Sequence, residues 1–216
     1  MSDSHQHADH AHHFNSIEHE FEAGKLGMWL FLVTEIMLFG VFFAGYGLYM
    51  YLYPEMFREA HHELNKWMGA LNTVVLLISS LTMALSIAYI QRDQKTKSMW
   101  MLFITLVCAG IFMVVKYFEY THKFHLGIYP GQYFNNPEMS AKFPNIALFF
   151  SFYFVMTGTH GIHVLIGMFA IAWIMFRMNR GDFNSRKFAA VEFVGLYWHI
   201  VDLIWIFLFP MVYLVV

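Results

Sequence analysis

The stretch YWHIVDLIWIFLFP, Tyr197 to Pro210, sets His199 and Asp202 three residues apart inside a run that is otherwise almost entirely apolar and aromatic. It lies in a longer apolar block, Phe193 to Val215. At ~1.5 Å rise per residue, a helix of about 20 residues crosses the ~30 Å hydrocarbon core of a bilayer. Four further blocks of this kind precede it: Leu26 to Leu52, Leu71 to Ile90, Trp100 to Tyr120 and Ile146 to Phe176. The whole chain is 58% hydrophobic and only 13% charged, too few charges to cover a globule of 216 residues in water. Lipid offers no hydrogen-bond partner to a backbone, so each block should be a helix. The expectation is an all-α, polytopic membrane protein, a bundle of five transmembrane helices.

The connections support that reading. QRDQKTKS, residues 91 to 98, is a short polar turn, and RMNRGDFNSRK, residues 177 to 187, carries Gly181 among alternating charges. The fourth block is longer than one span requires, so Pro144 should lie near its start, with tilt or an extramembrane turn taking up the excess. Five spans put the N-terminal tail and the second and fourth loops on one side, with Lys25, Arg92, Lys95, Lys97, Arg177, Arg180, Arg186 and Lys187. The other side has Arg58, Lys66, Lys123 and Lys142. The positive-inside rule then places the N-terminus in the cytoplasm and the C-terminus outside. Cys108 is the single cysteine, and no signal-peptide pattern opens the chain.

Two units are expected: a His-rich flexible cytoplasmic tail, residues 1–24, and a transmembrane domain, residues 25–216. The tail's histidines lack apolar periodicity and read as a solvated segment, with metal capture as the sharper alternative. No GxxxxGKS, CxxC, GxSxG or HExxH occurs, and no basic patch interleaved with aromatics suggests nucleic acid.

Ionisable groups are costly in hydrocarbon, by about 2.5 to 3.5 kcal/mol on insertion scales, so each asks for a partner or a use. Glu35 lies in the first span, Lys116 and Glu119 end the third, His160 and His163 lie in the fourth, and Glu192, His199 and Asp202 in the fifth. Helical spacing puts His160 with His163, Lys116 with Glu119, and His199 with Asp202 on shared faces, which should turn toward other helices. Gly158, Gly161 and Gly167 suggest a close helix seam. Imidazoles and carboxylates from neighbouring helices are competent ligands for iron or zinc, yet ExxH repeats of a di-iron bundle are missing from the spans. Interhelical pairing is the plainer reading, and proton relay stays open. Trp29, Tyr197, Trp198, Trp205 and Tyr213 read as interface anchors or lipid contacts. Arg177 and Arg180 end the fourth span where headgroup phosphates lie, or are ordinary positive-inside charge.

Three segments carry a resemblance. GLYWHIVDLIWIFLF (195 to 209), THGIHVLIG (159 to 167) and TEIMLFGVFFAGY (34 to 46) resemble, in order, signatures of subunit III of haem-copper oxidases, in its five-helix bacterial form. The resemblance implies a non-catalytic subunit of a cytochrome c oxidase that holds no haem or copper itself. Those cofactors would sit in partner subunits. It implies packing on subunit I, contact with subunit II, and subunit IV and a larger respiratory assembly as further partners, in a bacterial inner membrane. It implies phospholipid contacts at Glu35, Arg177 and Arg180, and assigns Glu119, His160, His163, His199 and Asp202 to a polar helix-packing cluster. The nearest alternatives are the equivalent subunit of a quinol oxidase and the accessory protein of nitric oxide reductase. A self-sufficient membrane metalloenzyme and a transporter are alternatives of other classes, the latter without duplicated halves to support it.

Overall fold

The computed structural model describes residues 17–143, 145–184 and 188–214. Residues 1–16 of the tail, together with Pro144, Arg186, Lys187 and Val215, lie outside that set. Among the described residues seven α-helices follow one another: α1 (Ile17–Leu52), α2 (Pro54–His62), α3 (Lys66–Gln91), α4 (Lys95–His125), α5 (Pro137–Lys142), α6 (Ile146–Asn179) and α7 (Ala189–Phe209). A 3₁₀ turn occupies Gly131–Tyr133, and a π turn, Pro210–Leu214, continues α7. Five of the helices (α1, α3, α4, α6 and α7) are long and apolar enough to cross a membrane, each containing one of the expected blocks. The chain is therefore a multi-pass membrane protein. No strand occurs among the described residues.

Helix ends explain the connections. Asn65 caps α3, its side-chain oxygen accepting from the amides of Trp67 and Met68. The turn into α4 passes through Asp93 at φ 58, a left-handed conformation that Asp tolerates better than most residues. α6 ends at Gly181, φ 86, with the Gly181 amide donating back to Met178 and the Asp182 amide to Arg177. α6 is one continuous helix of 34 residues. At ~1.5 Å per residue it is about 50 Å long, so its excess length stands beyond a single hydrocarbon core.

α7 lies at the centre and α1 at the edge. Half of the apolar stretch of α7 is buried inside the protein, against 11% for α1. α3 and α4 form an antiparallel hairpin, locked by Ser86 and Ser98 (3.1 Å) and by Thr82 and Thr105 (2.7 Å). α7 packs on that hairpin and on α6 through small residues. A Cβ on Gly195 would meet Ile87 of α3 at 2.5 Å, and one on Gly167 would meet the Trp198 ring at 2.8 Å. The glycine seam thus holds at Gly167. Gly158 meets only the Tyr120 hydroxyl at 3.7 Å, and Gly161 nothing within 4 Å.

At the far end from the N-terminus, α2 and α5 fold within loops that the sequence left unassigned. Pro54 starts α2, whose Met56, Phe57, Ala60 and His61 share one buried face. Asn136 caps α5 by accepting from the Met139 amide, with Pro137 behind it. The exposed ion pair Lys142–Glu59 (2.8 Å) joins α5 to α2, the lysine holding the Glu59 carboxyl below its usual pKa while its own is raised.

His61 anchors α2. Its Nδ1 donates to the Phe57 carbonyl (2.6 Å), so in the neutral ring Nε2 accepts from the Tyr46 hydroxyl of α1 (3.0 Å). The Met211 carbonyl lies 3.5 Å from the same Nε2. Burial holds the imidazole below its ordinary pKa, opposed by its bonds to the Phe57 and Met211 carbonyls. A depressed histidine pKa means that the unfolded chain binds the proton more readily. Its stabilisation is complete above an unperturbed pKa of about 6.5 and is lost as pH falls below that value. Thermal unfolding in detergent should accordingly show a fall in Tm from neutral to mildly acidic pH that is shallower in His61→Gln. Identical pH slopes in the two proteins would contradict this role.

Candidate functional site: polar contacts within the bundle

The ionisable side chains of the spans do not converge on one point. They divide into separate contacts, each joining different helices. Glu35 of α1 meets His163 of α6, Oε2 to Nε2 at 2.8 Å, with both side chains 14% exposed. His163 is oriented from behind, its Nδ1 donating to the Thr159 carbonyl (2.8 Å) while Phe39 packs edge-on at 5.4 Å. Tyr197 of α7 donates to the His163 carbonyl (3.0 Å), which brings three helices to this point.

His160, one turn away, takes no part in that contact. It is fully buried between Phe112 of α4 (5.5 Å) and Trp205 of α7 (5.1 Å), and neither ring nitrogen has a partner among the described residues. The two histidines share a helix but face different neighbours.

His199 and Asp202 likewise bind different residues. Ser80 of α3 lies 2.8 Å from His199 Nδ1. Asp202 Oδ2 accepts a long bond from Ser79 (3.5 Å), and the same Ser79 oxygen accepts from the Trp198 indole (3.1 Å). Two adjacent serines of α3 thus receive the polar pair that the sequence singles out. Asp202 Oδ1, like both amide atoms of the buried Asn72, has no partner among the described residues.

The densest contact lies between the far ends of α4 and α7. Lys116 donates to Glu119 Oε2 (2.9 Å) and to the Tyr213 hydroxyl (2.6 Å), and Tyr213 in turn donates to Glu119 Oε1 (2.7 Å). Lys116 also lies over the rings of Trp205 (4.8 Å), Tyr213 (5.1 Å) and Tyr153 (5.6 Å). Lys123, also buried, sits 5.0 Å from the Tyr153 ring and donates to the Glu63 carbonyl (3.3 Å). Of the same-helix pairs expected from spacing, Lys116 with Glu119 is the one that bonds directly. Among the described residues no three of His, Cys, Asp and Glu are grouped to hold a metal.

Arg177 and Arg180 stand apart at the other end of the bundle. Arg177 Nε donates to Asp182 (2.7 Å) and its guanidinium lies over Trp173 (5.3 Å) and Phe183 (5.5 Å). Arg180 lies over Phe176 at 4.2 Å.

Four aromatic residues expected at the membrane interface are in the core. Trp198, Trp205 and Tyr213 are fully buried and Tyr197 is 8% exposed, whereas Trp29 is 53% exposed. The reason is chemical: each buried ring finds a partner for its polar atom, Trp205 donating to Thr73 (3.0 Å) and the others as described. Sequence reasoning also missed His61, Tyr46, Lys123 and the two serines. The small polar residues of α3 at 79, 82 and 86 recur on one helical face, a signal that was available.

A model of the family described as cytochrome c oxidase subunit III matches residues 6–215. The chain belongs to that family. Curated relatives include the "Probable quinol oxidase subunit 3" of Staphylococcus epidermidis, 30% identical, with 95% of this chain and 96% of the relative covered. Proteins of the same name from Staphylococcus haemolyticus and Staphylococcus aureus are each 27% identical over the same shares. As a subunit III of the haem-copper oxidase family, the chain associates with other oxidase subunits, and its polar contacts have to hold one subunit together inside such an assembly.

The Lys116–Glu119 contact tests that view. Glu119→Leu leaves a buried ammonium without its carboxylate, a loss of about 3 to 5 kcal/mol. The double replacement Lys116→Met with Glu119→Leu removes both charges and should recover most of it. Thermal unfolding of the purified proteins checks this. A double variant no more stable than Glu119→Leu alone would contradict the pairing.

Proposed function

We propose that the chain is the non-catalytic subunit III of a bacterial haem-copper cytochrome c oxidase, packed on subunit I and in contact with subunit II. In this reading haem and copper belong to those partners, which reduce oxygen, while subunit III supports proton uptake and stability during turnover. The observation that carries the reading is the direction of the polar groups. Glu35, His163, His199 and Asp202 are engaged with neighbouring helices of the same chain, and Lys116 and Glu119 with each other and with Tyr213 beyond α7. The outer faces stay apolar, as at Leu30, Met37, Val41 and Leu48 of α1. Such a chain is built to be a rigid apolar partner for lipid and for a larger membrane subunit.

The finer assignments extend this reading. The basic end of the bundle faces the cytoplasm of a bacterial inner membrane, and subunit IV or a larger respiratory assembly joins on the remaining faces. Arg177 and Arg180, with guanidinium groups lying on aromatic rings at one end of α6, are placed for phospholipid phosphates. Glu35 is the third lipid contact, its carboxylate at the edge of α1 and still 14% exposed beside His163.

Cytochrome c as the electron donor is favoured by the family description. A quinol donor is the second reading, favoured by the printed names of the relatives. Purification from native membranes through a C-terminal tag separates them. Co-elution of haem a with subunits I and II, and oxygen consumption driven by reduced cytochrome c, is the expected result. Oxygen consumption driven only by quinol would move the chain to the quinol branch, and a lone chain without oxidase subunits would overturn the proposal.

A further inference from the structure

A cleft of about 260 Å³ opens between the start of α4 and the end of α6, lined by Lys95, Thr96, Met99, Trp100, Met178 and Asn179. Its lining mixes polar groups (Lys95, Thr96 and Asn179) with apolar ones (Met99, Trp100 and Met178). Lys95 is half-buried and makes no hydrogen bond or ion pair with any described residue. Of the cations nearby, Lys97 rests over Tyr89 at 5.6 Å, Arg177 pairs with Asp182 and Arg180 lies on Phe176, while Arg92 of the preceding turn does not line the cleft. The cleft therefore presents one free ammonium, a threonine hydroxyl and an asparagine amide together. Gln94 adds no side-chain cap, so the first-turn amides of α4 add partial positive charge at the same end.

Beyond Lys95 along α4 the surface turns apolar and stays exposed. Trp100 is 60% exposed and packs edge-on against Phe103 (6.0 Å), itself 46% exposed, with Val107 and Ile111 continuing the stripe along the helix. A cation above an exposed tryptophan above an apolar stripe repeats the order of a lipid molecule: phosphate, glycerol, chains. A free phosphate would meet the cation and leave the stripe bare.

We propose that this cleft binds the headgroup of an anionic phospholipid, with Lys95 holding its phosphate, Thr96 and Asn179 donating to headgroup oxygens, and the chains lying along Trp100 and Phe103. The site is distinct from Arg177 and Arg180, whose guanidinium groups turn to Trp173, Phe183 and Phe176.

The test uses the assembled complex containing this chain, in phosphatidylcholine vesicles with a minor fraction of phosphatidylglycerol. One or other lipid carries a photoreactive diazirine near its glycerol. Phosphatidylglycerol should label Met99, Trp100 and Phe103 in preference to phosphatidylcholine, a comparison that needs no variant. Lys95→Gln should cut that preference about five-fold, the contribution of one lysine at a membrane surface. Lys95→Arg should keep it, and Arg177→Ala with Arg180→Ala should reduce it by less than Lys95→Gln does, which separates this site from the earlier lipid assignment. Equal labelling by the two lipids, an unaltered preference in Lys95→Gln, or competition by inorganic phosphate would each overturn the proposal.

Discussion

A carboxylate or an imidazole inside a bilayer has no water to turn to, and this constraint organises the molecule. Apart from Glu192 in the first turn of α7, each ionisable group singled out in the spans reaches a donor, an acceptor or an aromatic face beyond its own helix. Glu35 reaches across to α6, His199 and Asp202 reach to serines on α3, and Lys116 closes a three-membered circuit with Glu119 and Tyr213. Removing one partner leaves the other desolvated. Helix order and register are thereby fixed by a few polar contacts, while van der Waals packing over the rest of the surface supplies area but little selectivity.

α7 bears most of this load. It contributes Tyr197, Trp198, His199, Asp202 and Trp205 to contacts with α1, α3, α4 and α6, and Tyr213 just beyond its end closes the far side. The near approach of its backbone to α3 and α6 depends on Gly195 and Gly167. The aromatic side chains here do two things at once. Their rings fill space in the core, and their polar atoms satisfy groups that hydrocarbon would otherwise strand. The same logic applies outside the membrane, where His61 joins α2 to α1 and to the turn after α7.

The spans were legible because twenty apolar residues in a row have one stable solution in lipid. The two short helices were not: α2 and α5 are defined by proline starts and, for α5, an asparagine cap, over stretches of six to nine residues that carry little periodicity. Among the polar residues, spacing correctly paired Lys116 with Glu119 but says nothing about partners on other helices. His160 and His163 look equivalent in sequence, yet one meets a carboxylate 128 residues away and the other lies between two aromatic rings. The tryptophans and tyrosines of the last span misled for a related reason. An amphipathic ring suits a membrane interface and a buried hydrogen bond equally well, and only the presence of Ser79, Thr73 and Glu119 opposite decides which.

Polar pairs between helices, more than apolar area, dock the peripheral α1 onto the bundle. A double-mutant cycle on Glu35→Gln and His163→Phe, read by thermal unfolding of the purified complex, tests it most directly. The expected result is a favourable coupling energy of about 0.6 to 2 kcal/mol. Strictly additive effects of the two replacements would show that the pair contributes nothing of its own and that α1 is held by apolar contact alone.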